Sequence, residues 1–130
     1  MMVELVAKSG ALQIAIGAWL GWANFAFLRG ASRIGPLRDR RRTMQAHLDF
    51  LMMGTMSLAL SAIGDFMGVD DWYLVLIIIG SWMNPSAFLF LAVVDDFEEN
   101  HPQLSGMLPL AGFVALTVGW TWAAIDFVGR

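Results

Sequence analysis

Residues 72–94 read WYLVLIIIGSWMNPSAFLFLAVV, a run with no charged side chain. At 1.5 Å of helix rise per residue this run can cross the ~30 Å hydrocarbon core of a bilayer, which takes about 20 apolar residues. Three further segments of similar character lie at about residues 10–28, 44–67 and 107–128. Lipid cannot satisfy backbone N–H and C=O groups, so spans of this length are expected to be helices. The expected fold is therefore an all-α membrane protein. It is a single four-transmembrane-helix bundle over residues 1–130, with the lipid bilayer as its surroundings.

Composition supports that reading. Of 130 residues, 58% are hydrophobic and 15% charged, where a soluble domain has about 45–50% and about 25%. A chain this short cannot hide such an excess in a core of its own. It has no cysteine, which excludes disulfides, thiolate metal sites and a cysteine nucleophile. The net charge of −3 is small and gives no reason to expect nucleic acid as a partner. MMVELVAKSG at residues 1–10 makes a poor signal peptide, because Glu4 occupies the place of a basic n-region and arginines follow the apolar run. The first span is expected to be retained.

The connections are marked by Arg29-Gly30 and Gly35-Pro36, by Gly64 through Asp71 (Asp70 included), and by Asp95 through Pro102. Trp72, Tyr73, Trp120 and Trp122 lie toward span ends, where aromatic belts form. Arg29, Arg33, Arg38, Arg40, Arg41 and Arg42 all precede the second span. They are expected to keep loop 29–43 in the cytoplasm of a bacterial-type inner membrane, with both termini on the opposite side. Asp95, Asp96, Glu98 and Glu99 then share the arginine side, where exposed ion pairs are worth ~1 kcal/mol or less each. Arginines of this kind also attract anionic lipid, at about 1 kcal/mol per charge, an attraction the acids weaken.

Polar groups at membrane depth are costly and mark functional candidates. They are Asn24 in span one, His47 and Asp49 in span two, and Asn84 in span three. Gln13 and Asp126 are expected close enough to span ends to reach water. His47, Leu51, Gly54 and Leu58 recur on one helical face, where Gly54 leaves room for a neighbouring helix or a flat ligand. Asp49 is rotated by about 200° from His47, so the two do not pair and Asp49 needs a partner elsewhere. His47 reads either as an interfacial histidine bonded to a neighbour or as a metal or haem ligand. Asn84 precedes Pro85, which predicts a kink and a polar pocket, or else simple interhelical glue. His101 beside Glu98 and Glu99 reads as a solvated loop histidine. Trp22-Ala23-Asn24 and Trp82-Met83-Asn84 echo one another; a parallel two-helix repeat is conceivable, with chance recurrence the simpler account.

Ala46-His47-Leu48-Asp49, followed by Met52-Met53-Gly54, resembles the second-span motif of the small hydroxylaminobenzene mutases, relatives of styrene oxide isomerase. Gly80-Ser81-Trp82-Met83-Asn84 is similar to that family's Gly-x-Trp-Ala-Asn. The resemblance implies a trimeric membrane protein with haem b at subunit interfaces, and His47 matches the haem-ligand histidine. Ferric iron would act as a Lewis acid in the redox-neutral rearrangement of a small aromatic substrate, an epoxide or an arylhydroxylamine. His47 would bind the metal, Leu51 and Gly54 would line the cofactor, and Asn24 and Asn84 would serve catalysis. Met53, Gly80 and Phe88 stand where the isomerase carries an asparagine, an aspartate and a tyrosine, although Gly80 agrees with the mutases. A non-catalytic haem-binding or scaffold subunit of a larger membrane complex is the alternative. A transporter is disfavoured by the lack of paired carboxylates and broken-helix repeats.

Overall fold

The computed structural model describes residues 1–69 and 71–129; Asp70, expected at the boundary between spans two and three, lies outside them. Four long helices account for most of the chain: α1 (Met2–Leu28), α2 (Arg40–Met67), α3 (Tyr73–Val93) and α5 (Pro102–Gly129), with one turn, α4 (Phe97–Asn100), before the last. All four long helices are long and apolar enough to cross a membrane, so the chain reads as a multi-pass membrane protein.

Three of these helices begin well before the apolar stretch that announced them. α1 extends back to Met2, its first turns carrying an exposed Glu4–Lys8 pair at the i, i+4 spacing. α2 begins at Arg40 because Asp39 caps it, its carboxylate accepting from the Arg42 N–H at 3.0 Å. α5 opens on Pro102, a residue preset for the first helical position. Hydropathy marks what lies in lipid, whereas caps and helix formers decide where the helix starts. α2 stops at Gly68, whose φ of 68° is a left-handed cap that glycine adopts without strain. α3 runs as one helix through Pro85.

α1 packs against α2, α3 against α5, and α2 joins the two hairpins by lying on α3. Glycines set the closest approaches. A Cβ on Gly10 would stand 2.7 Å from the Gly54 carbonyl oxygen, and one on Gly54 would stand 2.7 Å from that of Gly10. In the second hairpin a Cβ on Gly80 would meet the Gly112 carbonyl oxygen at 2.8 Å, and one on Gly119 the Ile77 nitrogen at 3.1 Å. Lipid offers no hydrophobic drive between helices, so close van der Waals contact through small residues holds them together.

Two buried clusters result. One lies at the end of the aromatic residues, built on Val6, Leu60, Tyr73, Leu74, Ile77 and Ala123. There Trp72 meets Trp122 edge to face at 6.0 Å, and Tyr73 donates to Asp126 at 2.7 Å. The other lies toward the arginines, where Phe27, Leu37, Phe50 and Ala92 pack with Trp82. The loop after α1 tucks Leu37 into this cluster, and its Arg38 N–H caps α3 by donating to Ala92 O at 2.9 Å. Outside the clusters, α5 presents Leu110, Phe113, Val114, Val118 and Ile125 outward, a surface suited to lipid.

Candidate functional site

His47 sits on α2 facing α1. Its Nδ1 lies 2.7 Å from the Gly17 carbonyl oxygen. A carbonyl can only accept, so Nδ1 carries the proton and Nε2 keeps its lone pair. The ring rests against Gly21, where a Cβ would come within 3.1 Å of its Cε1. Gly17, Gly21 and Asn24 follow the i, i+4, i+7 face of α1, and Thr43 and His47 are i, i+4 on α2. The Asn24 amide nitrogen donates to Leu20 O at 3.0 Å and reaches Thr43 O at 3.5 Å. His47 and Asn24 therefore share one seam, about a turn apart.

Leu51 and Gly54 continue that seam. Leu51 packs over Gly17, within 3 Å of where a Cβ would be, and Gly54 abuts the Gly10 backbone and Ile14. Of the two occupants a glycine at position 54 could admit, a helix and a flat ligand, α1 fills the space within this chain.

Asn84 faces the other side of α2. Its amide nitrogen donates to Asp49 Oδ2 at 2.8 Å. This is the partner on another helix that the 200° offset from His47 required. α2 thus stands between His47 and Asn84, and one chain does not bring them into a common pocket. Ser81 and Trp82, just before Asn84, turn to α1: Gln13 donates to Ser81 Oγ at 2.9 Å and the Trp82 indole to Ser9 Oγ at 2.7 Å. Gln13 is fully buried, which corrects the expectation that it reaches water. The reason is that α1 begins at Met2, so residue 13 lies well inside the helix, on the face turned to α3.

These amides share one property. Gln13 Oε1, Asn24 Oδ1 and Asn84 Oδ1 are buried with no hydrogen-bond partner among the described residues. An unpaired buried acceptor is costly, and it is a natural seat for a water or a ligand donor. Sequence reasoning missed Ser9, Gln13 and Ser81 as site neighbours. The seven-residue spacing of Gly10, Gly17 and Asn24 was the signal that one face of α1 is packed.

Met53 is buried and Gly80 closes on Gly112. Phe88 lies under the Arg42 guanidinium, 5.7 Å from the ring centre. His101 rests on Phe97, and no group of three or more His, Cys, Asp or Glu side chains suited to a metal ion occurs among the described residues.

The Gly17 bond fixes which His47 nitrogen keeps a lone pair. Metal-binding histidines commonly donate their second nitrogen to a carbonyl, which fixes tautomer and ring orientation; the Gly17 carbonyl serves here, and Nε2 is the nitrogen left to bind. Trp22 and Phe25 stand near Gly21 on α1, edge to face at 6.2 Å and largely exposed. Searches of protein-family models, of curated proteins and of solved structures give no match to this chain.

Proposed function

We propose that the chain is a membrane-embedded, haem-b-dependent isomerase or mutase that rearranges a small aromatic epoxide or arylhydroxylamine without net redox change. The observation that carries this reading is the Nδ1–Gly17 bond of a membrane-depth histidine, which puts the proton on Nδ1 and the lone pair on Nε2. His47 holds the iron through Nε2, and the Gly17 carbonyl orients the imidazole and strengthens it as a ligand. Gly21 clears space for the ring, while Leu51 and Gly54 lock α1 at the distance this geometry needs. When bound, the haem supplies a ferric Lewis acid. Asn24 and Asn84 shape the surroundings, each with its amide nitrogen engaged and its carbonyl oxygen left to accept. Because His47 and Asn84 face opposite sides of α2, the pocket is completed by another copy in a homo-oligomer, a trimer in this reading. Loop 29–43 lies in the cytoplasm of a bacterial-type inner membrane, with both termini on the far side.

The visible spectrum of detergent-purified protein tests this. A Soret band lost in His47→Ala and retained in His101→Ala is the expected result, and a colourless wild type from haem-replete cells would refute it. The second reading, a haem-binding or scaffold subunit without catalysis, is favoured by the burial of Asn24, Asn84 and Met53. Turnover of an aryl epoxide or an arylhydroxylamine by the haem-loaded protein separates the two.

A further inference from the structure

The six arginines of residues 29–42 are not equivalent. Arg38 pairs with Asp95. Arg42 pairs with Glu98, bonds Gln45 and lies over Phe88. Asp39 is used as the cap of its own helix. Asp96 and Glu99 line the groove around Arg38 together with Asp95 and Glu98. Arg29, Arg33, Arg40 and Arg41 are exposed and meet no carboxylate among the described residues.

Arg40 and Arg41 differ from the other two in what lies beneath them. They occupy the first turn of α2, and with Met44 and Gln45 they line an open groove of about 490 Å³. Positions 41, 44, 48 and 52 fall on one helical face. Met44 is half-buried on that face, while Leu48 and Met52 are 55% and 52% exposed. At 1.5 Å per residue, this strip runs about 16 Å from Arg41 to Met52, close to half of a ~30 Å hydrocarbon core. Two unpaired guanidiniums thus top an apolar strip about one leaflet long.

We propose that this face of α2 seats an anionic phospholipid, its phosphate between Arg40 and Arg41 and an acyl chain along Met44, Leu48 and Met52. Guanidinium groups form charge-assisted hydrogen bonds with phosphate oxygens, and the bidentate geometry suits them. A zwitterionic lipid carries a neighbouring cation that the two arginines repel, so the seat discriminates by headgroup charge. The proposal does not depend on haem, and its readout is lipid rather than colour.

Native mass spectrometry of the full chain in detergent tests it, with equimolar phosphatidylglycerol and phosphatidylcholine of identical acyl chains. The wild type should retain the phosphatidylglycerol in preference, less so as ionic strength rises. The exposed double substitution Arg40→Gln/Arg41→Gln should lower that preference by up to ~30-fold, because each surface arginine is worth a factor of about five. Arg29→Gln/Arg33→Gln should lower it less. Equal retention of both lipids by the wild type, or a preference that survives Arg40→Gln/Arg41→Gln, overturns the proposal. An equal loss in Arg29→Gln/Arg33→Gln overturns it in favour of the loop. An oligomer that retains no lipid overturns it in favour of a second copy covering this face.

Discussion

The hairpins α1·α2 and α3·α5 are closed by the same device and enclose different things. In each, glycines let antiparallel backbones approach to distances that no side chain would allow. When Asn24 is superposed on Asn84, the buried positions of α1 and α3 coincide as well: Gln13 with Tyr73, Gly17 with Ile77, Leu20 with Gly80, Phe27 with Ala87. A shared helical period yields such a match without duplication. The difference lies on the partner helix. α2 brings His47 to the seam and points Asp49 at the other hairpin, whereas α5 buries only Ser105, Gly112, Leu116, Gly119 and Ala123. Close packing is therefore common to both hairpins, and the ionisable groups at membrane depth belong to the first.

The largest effects should come from filling the seams. Gly54→Ala and Gly80→Ala each force a Cβ against a backbone oxygen and should cost about 1–3 kcal/mol, measured by reversible unfolding in mixed micelles. If the first hairpin holds the cofactor, Gly54→Ala should also weaken the Soret band while Gly80→Ala leaves it unchanged at equal loss of stability. Identical spectra would show that the two seams do not differ in this respect. Gly106→Ala on α5 is the control of opposite sign. Its Cβ would meet nothing within 4 Å, so the better helix former should stabilise by about 0.5–1 kcal/mol.

Next come the bonds that join the hairpins. Asp49→Ala leaves the buried Asn84 amide without its acceptor and should cost about 1–3 kcal/mol. In a double-mutant cycle with Asn84→Ala the pair itself should account for about 0.6–1.7 kcal/mol, the range of such bonds in membrane proteins. Coupling near zero would mean that Asp49 finds another partner. The smallest effect belongs to the arginine end. Arg42→Gln should cost ~1 kcal/mol, since its partner Glu98 is exposed and the pair weakens with salt. Arg38→Gln should cost less still, its pair being the more exposed of the two.

The four spans were legible because crossing lipid imposes length and apolarity on each segment separately. The separation of His47 from Asp49 was legible too, since it needs only the 100° step of a helix. Gln13 was not. Its depth depended on where α1 begins, and hydropathy does not register the polar first turns that a membrane helix can carry beyond the lipid. The partner of Asp49 was legible only as a requirement, because Asn84 arrives from a helix 35 residues away in sequence.

The sequence by itself determined how many helices are long and apolar enough to cross, which end carries the arginines, and that Asn24, His47, Asp49 and Asn84 lie inside them. Each is a property of a single segment in its solvent. Only the tertiary structure decided that Gly54 admits α1, that Asn84 answers Asp49, and that Arg38 and Arg42 find carboxylates while Arg40 and Arg41 meet none among the described residues. The physical reason is that a helix in lipid is apolar on every side, so its periodicity does not announce a buried face. Which face packs is settled where small residues on two helices meet, and that meeting is a property of the pair.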